Sequence, residues 1–91
     1  MTQLEEKQDV KEKDKKKEKY TLLIWNDDVN SFNWVIQSLI DVCGHDTLQA
    51  EQCAMIAHNK GKCDVKYGEK EVLISMKKRL NERHIEATIE Q

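Results

Sequence analysis

Apolar and polar positions along this chain change period several times, and each change marks an element. Tyr20-Thr21-Leu22-Leu23-Ile24-Trp25 is a continuous run of aromatic, β-branched and aliphatic residues closed by the turn formers Asn26-Asp27-Asp28, which predicts a first strand. Ser31 then stands where a helix cap is wanted. Val35, Ile36, Leu39, Ile40 and Cys43 repeat at helical spacing behind it, and Gly44 supplies a left-handed stop. Asp46 or Thr47 caps a second helix through Ala50, Cys53, Ala54 and Ala57, which Gly61 ends.

From Lys62 to Tyr67 the period falls to two. Cys63, Val65 and Tyr67 are expected on one face of a half-buried strand and Lys62, Asp64 and Lys66 on the other. Val72, Leu73, Met76 and Leu80 make a third helical stripe, and Ile85, Ala87 and Ile89 alternate with Glu86, Thr88 and Glu90 as a third strand. The order strand, helix, helix, strand, helix, strand excludes a repeated βαβ array. It predicts an α+β fold in which a small three-stranded antiparallel sheet carries three helices on one face.

Residues 1 to 19 hold seven lysines and six acids, with Leu4 and Val10 as the only apolar residues beyond Met1. Too little surface can be buried there to offset the entropy of ordering, so this segment is expected to be a disordered, charged extension and residues 20 to 91 the folded domain. A chain of 91 residues has room for one domain. Its formal charge of -2 lacks the basic excess that phosphate neutralisation requires, so nucleic acid is not an expected partner.

No apolar stretch resembles a signal peptide or is long enough to span a bilayer, so a cytoplasmic location with no membrane partner is expected. Cys43, Cys53 and Cys63 are an odd number of thiols. With His45 and His58 they lack the paired spacing of a closed zinc site, and they read as small core residues, with no metal and no cofactor expected.

Taken singly, the polar residues at the first turn have bland readings. Asn26, Asp27 and Asp28 suit a turn whose side chains bond nearby amides and add little to the core, and His58 suits the last turn of a helix, where it meets the dipole. Together they suggest more. Two carboxylates, an amide oxygen and an imidazole beside an apolar groove of Phe32, Val35, Ala54 and Ala57 form a host for a protonated α-amine, which has three donors and no acceptor.

Leu23 to Asp28, Phe32-Asn33-Trp34-Val35, Ala50 to His58 and His58-Asn59-Lys60-Gly61-Lys62 resemble the Clp protease adaptor (ClpS) family over roughly residues 20 to 91. The resemblance implies an adaptor that delivers substrates with N-terminal Leu, Phe, Tyr or Trp to the N-terminal domain of a Clp-type AAA+ unfoldase, acting as a monomer and not as an enzyme. By the same resemblance, Asn26, Asp27, Asp28 and His58 surround the substrate's α-amine. Phe32, Val35, Ala54, Ala57 and Ile85 line the side-chain pocket, Lys62 and Glu71 are candidate unfoldase contacts, and residues 1 to 19 match the extension used in hand-over.

The chain departs from the family pattern in two places. Methionines are common where Phe32 and Ala54 stand, and the segment from Lys66 to Arg83 is several residues shorter. Two other classes compete with the adaptor reading. An enzyme using Asp27, Asp28 and His58 would need a nucleophile motif or metal spacing that the sequence does not display. A non-degron interaction domain is the other, since the order of elements also resembles the C-terminal domain of the ribosomal stalk protein.

Overall fold

The computed structural model describes residues 19–91. The expected extension therefore lies, apart from Lys19, outside the described residues. Strand β1 (Tyr20–Trp25) is followed by helices α1 (Phe32–Cys43) and α2 (Thr47–Lys60), strand β2 (Lys62–Gly68), helix α3 (Lys70–Glu82) and strand β3 (Ala87–Glu90). This is the α+β order the periodicities predict. The sheet order is β2-β1-β3, with both pairings antiparallel.

Being central, β1 is covered on both edges and needs no polar residue to protect it. Leu22, Leu23 and Ile24 are each almost fully buried. Leu22 and Ile24 join the helix-covered core with Leu39 and Val42 of α1, Ala50 and Ala57 of α2, and Leu73 and Leu80 of α3. Cys43, Cys53 and Cys63 are buried free thiols in the same core. Burial, the main cause, pushes Cys43 up to about 11 and Cys63 up to about 12, so both stay protonated at neutral pH.

The helix ends follow the local code. Ser31 and Asp46 accept backbone N–H bonds from Trp34 and Gln49, each cap contributing about 1 kcal/mol. Gly44 and Gly61 close the two helices in the left-handed region at φ 73° and 95°, where a Cβ would be strained.

Two expectations are corrected. Tyr67 is not on the inner face with Cys63 and Val65 but 67% exposed, because the β1–β2 register slips between Leu22 and Leu23. Leu23 faces Asp64 and Leu22 faces Lys66, so Val65 is the extra residue of a bulge. A bulge reverses the alternation beyond it. Lys66 is thereby turned to the helix side, where its Nζ donates to the Cys43 carbonyl at 3.2 Å and satisfies an otherwise open acceptor at the end of α1. Buried His45 donates from Nε2 to the Val65 carbonyl at 2.7 Å and fastens the same corner.

The second correction concerns α3, whose buried stripe is narrower than expected. Leu73 and Leu80 are fully buried and Met76 partly, while Val72, one helical step of about 100° to the side, is 49% exposed. Among the described residues no helix is long and apolar enough to cross a membrane.

Candidate binding site

The end of the sheet carrying Trp25 and Lys62 opens into a cavity of about 410 Å³. Its walls come from every part of the chain that meets there: Ile24 to Asn26 of β1 and its exit, Asp27, Asp28 and Asn30 of the following loop, Phe32 and Val35 of α1, Ala54, Ala57 and His58 of α2, and Ile85 before β3. All the residues singled out for an amine site and a side-chain pocket are thus brought to one place. Ile24, Trp25 and Asn30 are additions.

The floor is apolar and the mouth polar. Ile24, Ala54, Ala57 and Ile85 are buried, and the two alanines, three apart on α2, face inward as methyl groups and leave room where longer side chains would close it. Phe32 sits at the rim, 40% exposed. The Asn26 N–H donates to the Gly61 carbonyl at 2.9 Å, tying the end of β1 to the end of α2. His58, three residues before Gly61, is therefore held at the same end as Asn26.

Loop 26–31 is organised by Asp27. Its Oδ1 accepts the N–H groups of Val29 (2.9 Å) and Asn30 (2.8 Å), and its Oδ2 accepts the Asn30 side-chain amide (2.8 Å). Partial burial is the largest single influence on this carboxyl and pushes it up. The three hydrogen bonds together outweigh burial and hold Asp27 below its ordinary range. Asp27 thus bonds nearby amides as expected of a turn former and folds its loop without joining the core, whereas the Asp28 side chain makes no such bond among the described residues.

The side chains of Asn26, Asp28 and His58 make no hydrogen bond or ion pair among the described residues. They present an amide, a carboxylate and an imidazole to the cavity. Three groups with acceptor capacity beside an apolar floor can host a cationic donor with an apolar substituent. No three His, Cys, Asp or Glu side chains come together as a metal-binding group among the described residues.

Lys62 and Glu71 are not brought together. Lys62 lies at the cavity end of β2 with its Nζ 5.3 Å from the Trp25 ring centre, whereas Glu71 is in the first turn of α3, beyond the other end of that strand. The strand between them is roughly 20 Å long at the usual rise per residue.

Three antiparallel strands under three helices, with one half-polar cavity at the end of the sheet, place the chain among small α+β domains that carry a terminal pocket. The family model described as ATP-dependent Clp protease adaptor protein ClpS matches residues 15–88, and the chain belongs to that family. Its role is accordingly that of an adaptor in substrate delivery to Clp protease. Among solved structures it is similar to Agrobacterium tumefaciens ClpS2 bound to L-phenylalaninamide, with a TM-score of 0.70 and 19% identity over 81% of this chain and 96% of that one. At that identity the likeness establishes the fold. No curated protein matches the chain significantly.

Proposed function

We propose that the cavity captures the first residue of a polypeptide with a free α-amine and a bulky side chain (Leu, Phe, Tyr or Trp), and that the chain hands it to the N-terminal domain of a Clp-type AAA+ unfoldase. The observation that carries this reading is the set of side chains at the cavity mouth without partners among the described residues, Asn26, Asp28 and His58, which line the same cavity as the apolar floor. A protonated α-amine fills such a set with its three donors and its charge. Asp27 adds negative charge while folding the loop. Phe32, Val35, Ala54, Ala57 and Ile85 receive the side chain. L-phenylalaninamide, the ligand of the Agrobacterium protein, combines a free α-amine with an aromatic side chain in the same way.

The pocket's shape sets a preference. Ala54 leaves space on one wall, and Phe32 offers a ring at the rim for edge-to-face contact worth ~0.5 to 1.5 kcal/mol. An aromatic first residue fills that space, and leucine leaves part of it empty, which loses packing contacts. In a competition series of otherwise identical peptides, Phe, Tyr and Trp are expected to bind tighter than Leu, and Ala54→Met to move the preference toward Leu. Leu binding as tightly as Phe and Trp would remove the enlarged pocket from the account.

Hand-over is assigned to residues 1 to 19, a charged segment poor in apolar groups that a pulling enzyme can engage. Deleting them is expected to leave peptide affinity and melting temperature nearly unchanged while blocking degradation of a tethered substrate. Delivery at the wild-type rate by the truncated chain would leave the segment no part in hand-over. Lys62 and Glu71 are proposed as unfoldase contacts at two separate points of the surface, with the adaptor acting as a cytoplasmic monomer.

A further inference from the structure

Asn30 was not singled out in the sequence, yet it makes the only side-chain link from loop 26–31 to the α3–β3 turn among the described residues. Its side-chain amide donates to Asp27 Oδ2 at 2.8 Å and to the His84 carbonyl at 2.7 Å, so both of its N–H donors are engaged. One turn into α1, the Trp34 indole N–H donates to the preceding carbonyl, that of Arg83, at 3.0 Å, with the Arg83 guanidinium 5.3 Å from the indole centre. Two consecutive carbonyls of the turn are thus held, one by cavity-lining Asn30 and one by Trp34 of α1.

The turn itself is unusual. His84 has φ 68°, a left-handed conformation that costs a non-glycine residue free energy and persists only where its surroundings impose it. Immediately after it comes Ile85, which is 2% exposed and lines the cavity. The Ile85 N–H donates to the Leu80 carbonyl, and the Glu86 carbonyl accepts from the Trp25 N–H. The Arg83 carbonyl accepts from α1, through Trp34, and the His84 carbonyl from loop 26–31, through Asn30.

From this arrangement we infer that Asn30, assisted by Trp34, is a positioning residue for substrate capture: it locks the amine-binding loop to the Ile85 wall, so that the polar mouth and the apolar floor keep one fixed separation. The inference rests on the reading of the cavity as a site for an N-terminal residue and adds the element that couples its two halves. A first residue is held at its amine and at its side chain at once, so loosening one half relative to the other weakens both contacts and blurs selection by side-chain size. Asp27, which the Asn30 bonds help to keep ionised, reports on the loop end of the lock independently of any ligand.

The test compares the full chain with Asn30→Ala, Asn30→Asp and Trp34→Phe. Anisotropy with Phe-starting and Leu-starting peptides is combined with thermal melts and an NMR titration of the Asp27 carboxyl. Asn30→Ala is expected to weaken the Phe-starting peptide about tenfold or more and to narrow the Phe-to-Leu ratio, at temperatures where the variant is fully folded. Asn30→Asp has the same shape but sets an acceptor against Asp27 and the His84 carbonyl, and is expected to bind more weakly still. Trp34→Phe keeps the ring beside Arg83, removes one N–H, and is expected to give a smaller loss. In Asn30→Ala the Asp27 carboxyl is expected to titrate at higher pH than in the wild type.

Variants that match wild-type affinity and selectivity, or an Asp27 titration that does not move, would overturn the inference. Failure of the wild-type chain to distinguish a free from a blocked N-terminus would instead overturn the reading on which it rests. The Asp27 titration, which needs no peptide, would still score the bond between Asn30 and Asp27.

Discussion

Acetylating the α-amine of a Phe-starting peptide is expected to abolish its binding to this chain, although the change leaves the side chain that fills the apolar floor untouched. The physical reason is the state of the cavity mouth. The side chains of Asn26, Asp28 and His58 have no partners among the described residues, so the amine supplies the donors they lack. Acetylation removes the positive charge and two of the three donors and adds a methyl group and a carbonyl where acceptors already converge. Charge-assisted hydrogen bonds are worth ~1.5 to 3 kcal/mol each, so losing two of them lowers affinity by at least about a hundredfold, before the cost of leaving acceptors desolvated. Micromolar binding of the free peptide would become undetectable in fluorescence anisotropy. Equal affinity for the two peptides would refute amine recognition, whatever the floor contributes.

Separate substitution of Asp28, His58 and Asp27 is expected to split function from folding. Asp28→Ala and His58→Ala each remove a group that bonds nothing else among the described residues, so peptide binding should be lost with the melting temperature close to wild type. Asp27→Ala is different. It leaves the backbone N–H groups of Val29 and Asn30 and one N–H of the Asn30 side-chain amide without their acceptor, and is expected to cost about 1 to 2 kcal/mol of stability as well as binding.

Acid separates the cases further. The Asp27 carboxyl is held below its ordinary value of 3.8, so its stabilising contribution is full above that pH. The contribution is lost as pH falls from 3.8 through the depressed folded-state value, because the unfolded chain takes up the proton first. Stability of the wild type should therefore fall more steeply below pH 3.8 than that of Asp27→Ala. Thermal melts across that range, with peptide titrations at neutral pH, measure both effects. Unfolding of Asp28→Ala or His58→Ala at neutral pH would assign those side chains to capping and withdraw the binding site.

Much of the local structure was legible because its causes are local. A run of six strand-forming residues before three turn formers gave β1, and Ser31, Asp46, Gly44 and Gly61 marked helix ends where the structure has them. These signals act between residues three or four apart and survive without knowledge of the rest of the chain. The same locality explains the misses. Strict alternation placed Tyr67 inside, but the Val65 bulge is set by how β2 pairs with a strand about forty residues earlier in the chain. No property of the segment Lys62 to Gly68 alone encodes that slip.

The candidate site divides along the same line. Asn-Asp-Asp at the end of a strand, small residues three apart on α2 and His58 before Gly61 were visible as residue types at fixed spacing. Their meeting at one place, expected from the residue types, is made by the Asn26 N–H donating to the Gly61 carbonyl, which closes the end of β1 against the end of α2. Asn30 was invisible because an asparagine in a turn has an ordinary explanation. The partner that gives it a second role, the His84 carbonyl, is 54 residues away. Lys62 and Glu71 show the opposite case, near in sequence yet set apart by the length of β2.

By itself, then, the sequence determined the elements, their order and the residue types available for binding, since hydrophobic period, caps and turn formers act over one or two turns of chain. Only the tertiary structure decided that β1 lies at the centre of the sheet, that Lys66 turns inward to α1, and that Asp27 is engaged in folding its loop while Asp28 is not. Each of these depends on hydrogen bonds and packing between segments distant in the chain. Their formation follows from burying the whole core at once, not from the preference of any one segment.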